Sequence, residues 1–346
     1  MPNESLMNPK VAVVILNWNG KNFLEKFLPS LFKYSDNIAD VIIADNASTD
    51  DSLAFLRNSY PGLRVIENEV NGGFSKGYND ALRLIDADYY ILLNTDIEVT
   101  AGWINPVIEL MENDEMIAVC QPKLLSWHER DKFEYAGAAG GFIDKWGYPF
   151  CRGRMFMVTE TDKGQYDESR EIFWATGACM FVRADLYRQY GGLDADFFAH
   201  MEEIDFCWRL KNEGYKIMYT PLSIVYHIGG GTLPKSSSFK TYLNFRNNFI
   251  LLFKNLPFNK LLPVIMLRLI LDGIAGLKFL ISGHPGDCLA VIKAHFSFYV
   301  SLRKTWRKRK NIHQRSVSCV YNGSIVYQHF FNKTDYFSDL KSENFS

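Results

Sequence analysis

Val11 to Leu16 is a run of six apolar residues, most of them β-branched, that stops abruptly at Asn17-Trp18-Asn19-Gly20. A strand with no polar position has no face for water, so it must lie inside a sheet covered on both sides. The pattern recurs. Val41 to Ala44 is followed by the polar loop Asp45 to Asp50, Leu63 to Ile66 forms another apolar run, and Tyr89 to Leu93 ends at Asn94-Thr95-Asp96. Helical spacing separates the runs at Leu24 to Leu31, Ser52 to Asn58 and Gly77 to Ile85. Strands alternating with such helices predict an α/β fold with a parallel sheet between helical layers.

In open sheets of this kind ligands bind beyond the carboxyl ends of the strands. The informative residues are those that follow each run: Asn17 and Asn19, then Asp45, Asn46 and Asp50, then Asn71-Gly72-Gly73, then Asn94 and Asp96. Four polar loops are expected to meet at one edge. Between Trp103 and Gln165 the pattern loosens, with the glycine-rich stretch Ala136 to Gly141 expected as loop or edge strand. Order returns with an expected strand at Trp174 to Val182, a helix at Glu202 to Leu210 that stops before Gly214, and a short strand at Ile224 to His227. Past Gly229-Gly230-Gly231 the chain turns to long apolar helical segments with basic residues. A boundary near 232 is expected, between an α/β catalytic domain at 1–232 and a helical, basic accessory region at 233–346.

Composition narrows the function classes. Hydrophobic residues make up 47% of the chain and charged residues 22%, enough to bury a substantial core and too apolar for general disorder. Thirty-eight Lys and Arg against 39 Asp and Glu leave a formal charge of -1, so no global field recruits a polyanion and nucleic acid is not an expected partner. No two of the six cysteines have CxxC or CxH spacing, which argues against a structural zinc site and a disulfide framework and points to a reducing compartment. The first apolar run is too short for the core of a signal peptide, so no export is expected.

Each candidate residue has a plain alternative. Asp96 is an acid on a rigid strand end, able to hold a divalent cation against a diphosphate, and it equally fits a turn cap. Asp45 can accept from the imide N–H of a nucleobase, or it can open an Asx turn in Asp45-Asn46-Ala47-Ser48. Asn71 to Gly77 is a glycine-rich loop entering a helix, suited to close approach of backbone to phosphate with Lys76 as a nearby cation, but it fits neither a Walker motif nor GxGxxG.

Taken together, Val13 to Gly20, Asp45 to Asp50, Asn71 to Asn79, Leu92 to Asp96, Ala175 to Ala178, Glu202 to Leu210 and His227 to Thr232 resemble glycosyltransferase family 2, inverting enzymes of the GT-A fold. The likeness covers about two-thirds of the chain and is closest to the rhamnosyltransferase-like branch. The resemblance implies a donor pocket for a UDP- or dTDP-linked sugar, with Asp45 at the base, Asn17 and Asp50 nearby, and Gly73, Lys76, Asn79 and Asn94 shaping the nucleotide site. It implies Asp96 as the last acid of an Asp-x-Asp metal motif for Mg2+ or Mn2+, with Asn94 in place of the first acid and His227 as a further ligand. It also implies a catalytic base in the Glu202-Glu203 pair. Glu203 stands where the family usually has Asp, with Glu202 and Asp205 as supporting or metal-proximal acids. Acids at a helix start also suit the helix dipole whatever the function.

In the C-terminal third, Leu261 to Ile281 is long enough to span a bilayer but contains Arg268, Asp272 and Lys278, each costing about 2.5–3.5 kcal/mol at a span's centre. A span is not expected. Arg303 to Lys310 contains six cations, one tryptophan and no acid, and this fits attachment to an anionic membrane face. The expectation is an inverting glycosyltransferase that moves rhamnose or another hexose to a glycan or lipid-linked glycan in bacterial surface polysaccharide synthesis, at the inner face of the plasma membrane. Two competitors are a non-catalytic relative that binds nucleotide-sugar or glycan, and a nucleotidyltransferase; the latter wants a basic, glycine-rich first loop that Asn17 to Gly20 lacks.

Overall fold

The computed structural model of the protein describes residues 9–229 and 237–346. In chain order the strands are β1 (Val11–Asn17), β2 (Asp40–Asp45), β3 (Arg64–Glu67), β4 (Tyr89–Asn94), β5 (Ile97–Val99), β6 (Ile117–Ser126) and β7 (Gly141–Asp144). They continue with β8 (Pro149–Cys151), β9 (Arg154–Met155), β10 (Val158–Thr159), β11 (Arg170–Ile172), β12 (Cys179–Arg183), β13 (Lys216–His227) and β14 (Val320–Tyr321). The helices are α1 (Lys21–Ser35), α2 (Ser52–Ser59), α3 (Gly73–Leu82), α4 (Asn105–Glu112), α5 (Ala184–Gln189) and α6 (Glu202–Asn212), then α7 (Ser238–Asn255), α8 (Phe258–Ile281), α9 (Pro285–Arg309) and α10 (Ile325–Phe330).

The main sheet runs β11-β13-β6-β12-β4-β1-β2-β3, with β5 paired to β13. Strands β3, β2, β1 and β4 are parallel, as the alternation of runs and helices predicts. Side chains alternate across the pleat: Ala12 and Val14 join one core with Tyr78, Ala81, Phe206 and Leu252, while Val11, Val13 and Ile15 join the other with Leu24, Leu28, Leu31 and Val107. Each fully buried aliphatic side chain contributes about 1.5–3 kcal/mol, so helical layers on both faces are what make an all-apolar strand stable here.

Register places the strand ends together. Asn17 pairs with Asp45 and Leu16 with Asn94, so β1, β2 and β4 finish at one edge. Antiparallel β12 begins there, with Cys179 beside Leu93. β6 and β13 are parallel to each other and end there too, with His227 beside Ser126.

Several boundaries differ from the sequence expectation. Helix α3 starts at Gly73 rather than Gly77, which draws Lys76 into the helix. The strand expected from Trp174 begins only at Cys179, and Ile224 to His227 is the end of a twelve-residue strand whose register shifts between Thr220 and Ile224, around Pro221, which has no N–H to give the ladder. The stretch that looked loose contains α4, the buried ten-residue β6 and four of the five strands of a second sheet, β10-β9-β8-β7-β14. Its glycines permit close packing rather than looseness: a Cβ on Gly141 would stand 2.1 Å from the Trp174 ring. The C-terminal region is helical through α7–α9, but its tail returns to the N-terminal half. β14 pairs with β7, and Phe337 packs on Phe142 with ring centroids 5.0 Å apart. Residues 230–232, with the end of the His227 motif and the expected boundary, lie outside the described residues. All six cysteines are free thiols.

Candidate active site

The first two loops are stitched together at the sheet edge. Asn17 and Asp45 are both buried, and Asn17 Nδ2 donates to Asp45 Oδ1 at 2.8 Å and to Ser48 Oγ at 3.1 Å. Asp45 Oδ2 accepts from the Ser48 amide at 2.9 Å, so the Asx turn is present. The turn does not exhaust the pair: Asn17 Oδ1 is enclosed without a partner beside Gly20, where an added Cβ would stand 2.5 Å away. Asp50 accepts from the amides of Lys21 at 3.2 Å and Ser52 at 3.0 Å, at the starts of α1 and α2. Its partial burial is outweighed by these bonds and by the Ser52 hydroxyl, which hold its carboxyl below the usual range.

Asn46, which no motif picks out as a ligand, binds the third loop. Its Nδ2 donates to Asn71 Oδ1 at 2.9 Å and to Gly73 O at 3.1 Å. Gly73 has φ +75°, and a Cβ there would stand 2.6 Å from both the Phe198 ring and its carbonyl oxygen. The Phe74 amide donates to that same carbonyl at 2.8 Å. The third loop therefore meets the segment leading into α6 at a position only glycine fits.

Two candidates from this loop have other engagements. Lys76 forms an ion pair with Asp80 one helical turn on, because α3 has already begun. Asn79 donates to Leu193 O at 2.6 Å and accepts from the Tyr187 hydroxyl at 2.8 Å, joining α3 to the turn after α5. Asn79 thus links these elements, while Lys76 stays exposed on the first turns of α3.

At the end of β4, Asn94 is half-buried and its amide donates to Ala178 O at 2.9 Å. Asp96 is buried, and His227 Nε2 lies 3.1 Å from its Oδ1. The pairing of β5 with β13, with Ile97 opposite His227, joins two residues 131 positions apart. Glu134 completes the group: its Oε1 lies 3.2 Å from His227 Nδ1, without the alignment of a hydrogen bond. Burial disfavours the imidazolium, but Glu134 and Asp96 outweigh it and push His227 up to about 10. Burial also works against the Asp96 carboxylate, and His227 holds its pKa below the usual range.

Once the imidazole gives up its proton, Asp96 and His227 would suit a divalent cation in the place of that proton. Two adjacent donors of a six-coordinate ion with ligand distances of 2.0–2.1 Å stand about 3 Å apart, which is the Asp96–His227 separation. A carboxylate on the far ring nitrogen is the usual support of a ligating histidine. Among the described residues no cluster of three or more His, Cys, Asp or Glu could hold an ion, so this site would take its remaining ligands from substrate and water.

Helix α6 begins close to this edge. Glu202 is buried, Glu203 half-buried, and each has a carboxylate oxygen enclosed without a partner. Burial, reinforced by Glu203 and Asp205, raises Glu202 well above the carboxylate range. Burial pushes Glu203 up to about 7 against the pull of the backbone amides at the helix start. A methyl group on Gly177 would lie 3.0 Å from Phe74 Cζ and 3.9 Å from Glu203 Cβ, so Glu203 flanks the turn that ends beside Asn94. Asp205 is different: its Oδ2 accepts from Arg209 Nε at 2.9 Å and Lys254 Nζ at 2.8 Å, and its Oδ1 from Asn255 Nδ2 at 2.8 Å. It ties α6, which carries Glu203, to α7.

Comparison with known proteins identifies the family and the fold. The family model described as "Glycosyl transferase family 2" matches residues 12–191. The chain is 25% identical over 239 residues to N-acetylglucosaminyl-diphospho-decaprenol L-rhamnosyltransferase of Mycobacterium tuberculosis, covering 64% of this chain and 76% of that protein. It is 23% identical over 252 residues to the low-salt glycan biosynthesis hexosyltransferase Agl10 of Haloferax volcanii, covering 71% and 76%. It is 24% identical over 220 residues to rhamnosyltransferase WbbL of Escherichia coli, covering 61% and 80%. Among solved structures, GalNAc-T7 with UDP, GalNAc and Mn2+ superposes with a TM-score of 0.56 at 16% identity, over 75% of this chain and 50% of that one. The mannosyltransferase PcManGT from Pyrobaculum calidifontis, in complex with GDP-Man and Mn2+, gives 0.51 at 13% identity over 88% and 85%. The α/β core has the GT-A glycosyltransferase fold. With the family match running over more than half of its length, the chain belongs to glycosyltransferase family 2.

Proposed function

We propose that this enzyme is an inverting transferase that moves rhamnose or another hexose from a UDP- or dTDP-linked donor to a hydroxyl of a glycan or lipid-linked glycan, in bacterial surface polysaccharide synthesis at the inner face of the plasma membrane. The supporting observation is that the buried Asn17–Asp45 and Asp96–His227 pairs lie at the same end of the main sheet, with Glu203, one of its carboxylate oxygens unpartnered, at the start of α6 against the Gly177 turn. In this reading Asp45, held in place by Asn17, receives the nucleobase. Asp96 and His227 hold Mg2+ or Mn2+, with Glu134 orienting the imidazole. When bound, the ion supplies neutralisation of the diphosphate.

Glu203 takes the proton of the acceptor hydroxyl as its oxygen forms the bond to the anomeric carbon and the bond to the diphosphate oxygen breaks on the opposite face. The products are the glycoside with inverted anomeric configuration, the nucleoside diphosphate and a protonated Glu203. A pKa near 7 suits a residue that must accept a proton at neutral pH.

The test is thermal shift against a panel of nucleotide-sugars with and without Mn2+, followed by the anomeric configuration of the product. A nucleotide that binds should raise the melting temperature by mass action, more with metal than without. No shift with any nucleotide, or a product of retained configuration, would overturn the reading.

A further inference from the structure

The α8–α9 hairpin buries an ion pair at its centre and turns rows of apolar residues outward, the reverse of a helix pair serving only a soluble core. Arg268 and Asp272, the residues that spoke against a membrane span, are buried at 4% and 1% exposure. Arg268 Nη2 donates to Asp272 Oδ1 at 3.3 Å, its guanidinium lies 3.8 Å from the Tyr148 ring centroid, and Asp272 Oδ2 is 3.2 Å from His295 Nε2 on α9. The opposite face of α8 exposes Leu262, Met266, Ile270, Ile274, Leu277 and Ile281, each by more than half and at steps of three or four. Helix α9 exposes Leu289, Ile292, Phe296 and Val300 at the same steps, and the row continues into exposed Arg303, Arg307 and Lys310. At the other end of the hairpin the Lys278 ammonium sits 5.2 Å from the centroid of exposed Phe330. Among the described residues no helix is long and apolar enough to cross a membrane, so the face does not belong to a span.

We propose that this face docks the protein flat onto an anionic lipid surface, with the two apolar rows in the acyl boundary and Arg303, Arg307 and Lys310 among the head groups. Charge selects this occupant over a second copy of the chain. Between Phe258 and Lys310 there are ten Lys and Arg but only two acids; Asp272 is buried in the ion pair and Asp287 is half-buried off the rows. A two-fold contact would set this patch against itself, cation facing cation with no acid to answer it. The docking surface also revises the expectation for the basic run. Lys304, Lys308 and Arg309 are engaged within the protein, with Asp196, with Asp194 and Asp196, and with the Phe253 carbonyl, so only the other three cations are free to face lipid.

The proposal rests on the membrane part of the proposed function, and its test uses neither donor nor acceptor, so failure here leaves the transfer reading standing. Full-length protein is mixed with vesicles of phosphatidylcholine alone or with added phosphatidylglycerol, and bound protein is measured by flotation. Wild type should bind the acidic vesicles and release partly as salt rises. Arg303→Gln/Arg307→Gln/Lys310→Gln should weaken that binding roughly a hundredfold, as three interfacial cations allow. Ile270→Gln/Ile274→Gln/Phe296→Gln should abolish it, with an unchanged melting temperature because these side chains leave the core untouched. Undiminished binding by the apolar variant, equal binding of wild type to neutral vesicles, or a wild-type dimer that the apolar variant makes monomeric while neither binds vesicles, would each overturn the proposal.

Discussion

At the scale of single residues, the site rests on groups whose hydrogen-bonding capacity is left over after the fold is built. Glu203 is the plainest case, because burial pushes it up to about 7 and leaves an oxygen without a partner. Glu203→Gln keeps the shape and removes the proton acceptor, so transfer should fall by about 10²–10⁴ while nucleotide-induced thermal shift is retained. Turnover within a few-fold of wild type would take the residue out of that role. The raised pKa also has a consequence for stability. Between the unfolded value of about 4.3 and the folded value, the native state holds a proton that the unfolded chain has lost, so stability falls as pH rises through that window. Wild type and Glu203→Gln should therefore melt together near pH 4 and separate by pH 8, the variant being the more stable. Wild-type kcat/KM should rise with pH and level off above about 7. Glu134 makes a separate prediction: as the support of His227, its change to Gln should weaken Mn2+ activation about 10–100-fold while leaving metal-free nucleotide binding in place. An unchanged Mn2+ titration would count against the Asp96–His227 ion site.

At the scale of elements, the entry to α6 is the strained part of the molecule. Phe198, His200 and Met201 have φ of 65°, 69° and 75°, the left-handed region, which costs of order 1–3 kcal/mol for each non-glycine residue. The strain is held from α7, where Asn247 Nδ2 lies 3.0 Å from Phe197 O, 2.9 Å from Ala199 O and 2.7 Å from His200 O. Arg246 adds bonds to Asp196 O at 2.9 Å and Phe197 O at 3.0 Å. Asn247→Ala should free this segment and misplace Glu203, lowering kcat at least about tenfold, while donor KM stays close to wild type because Asn17 and Asp45 sit on other elements. A variant that loses melting temperature without that split between kcat and KM would assign Asn247 to the scaffold alone. Such residues mark the limit of what the sequence shows. Asn17, Asp45 and Asp96 are legible because each follows an apolar run, and the parallel sheet brings run ends together. Glu134 and Asn247 follow no such rule: one lies in a loop between β6 and β7, the other mid-helix, and the β6–β13 pairing with the Glu134–Leu124 bond, and the packing of α7, bring them to the site. Motif position likewise says nothing of a side chain's own contacts: Lys76 pairs with Asp80, and Asn79 donates to Leu193 O.

At the scale of the whole molecule, the C-terminal region is a working part of the α/β unit rather than an appendage, although every loop recognisable as catalytic lies before residue 232. Its cations converge on the acids that frame α6. Lys254, buried on α7, donates to Asp194 Oδ2 at 2.6 Å and to Asp205 Oδ2 at 2.8 Å, and Lys308 on α9 pairs with Asp194 and Asp196. Replacing Lys254 by Met leaves two buried carboxylates short of a cation, a change that costs about 3–5 kcal/mol in comparable buried pairs and, for a chain of this size, roughly 10 °C in melting temperature. The deficit should depend on pH with a definite sign. Burial would raise the Asp194 carboxyl, but Lys254 and Lys308 outweigh it and hold it well below the usual range. The stabilisation from this pairing is therefore complete above the unfolded pKa of about 3.9 and is lost as pH falls towards the depressed folded value. Acid removes from wild type what the substitution has already removed from the variant. Melting curves of the two proteins should thus lie furthest apart at pH 7 and draw together below about pH 4; a constant gap from pH 7 to pH 3, or none at pH 7, would show that these cations do not hold the α6 segment in place.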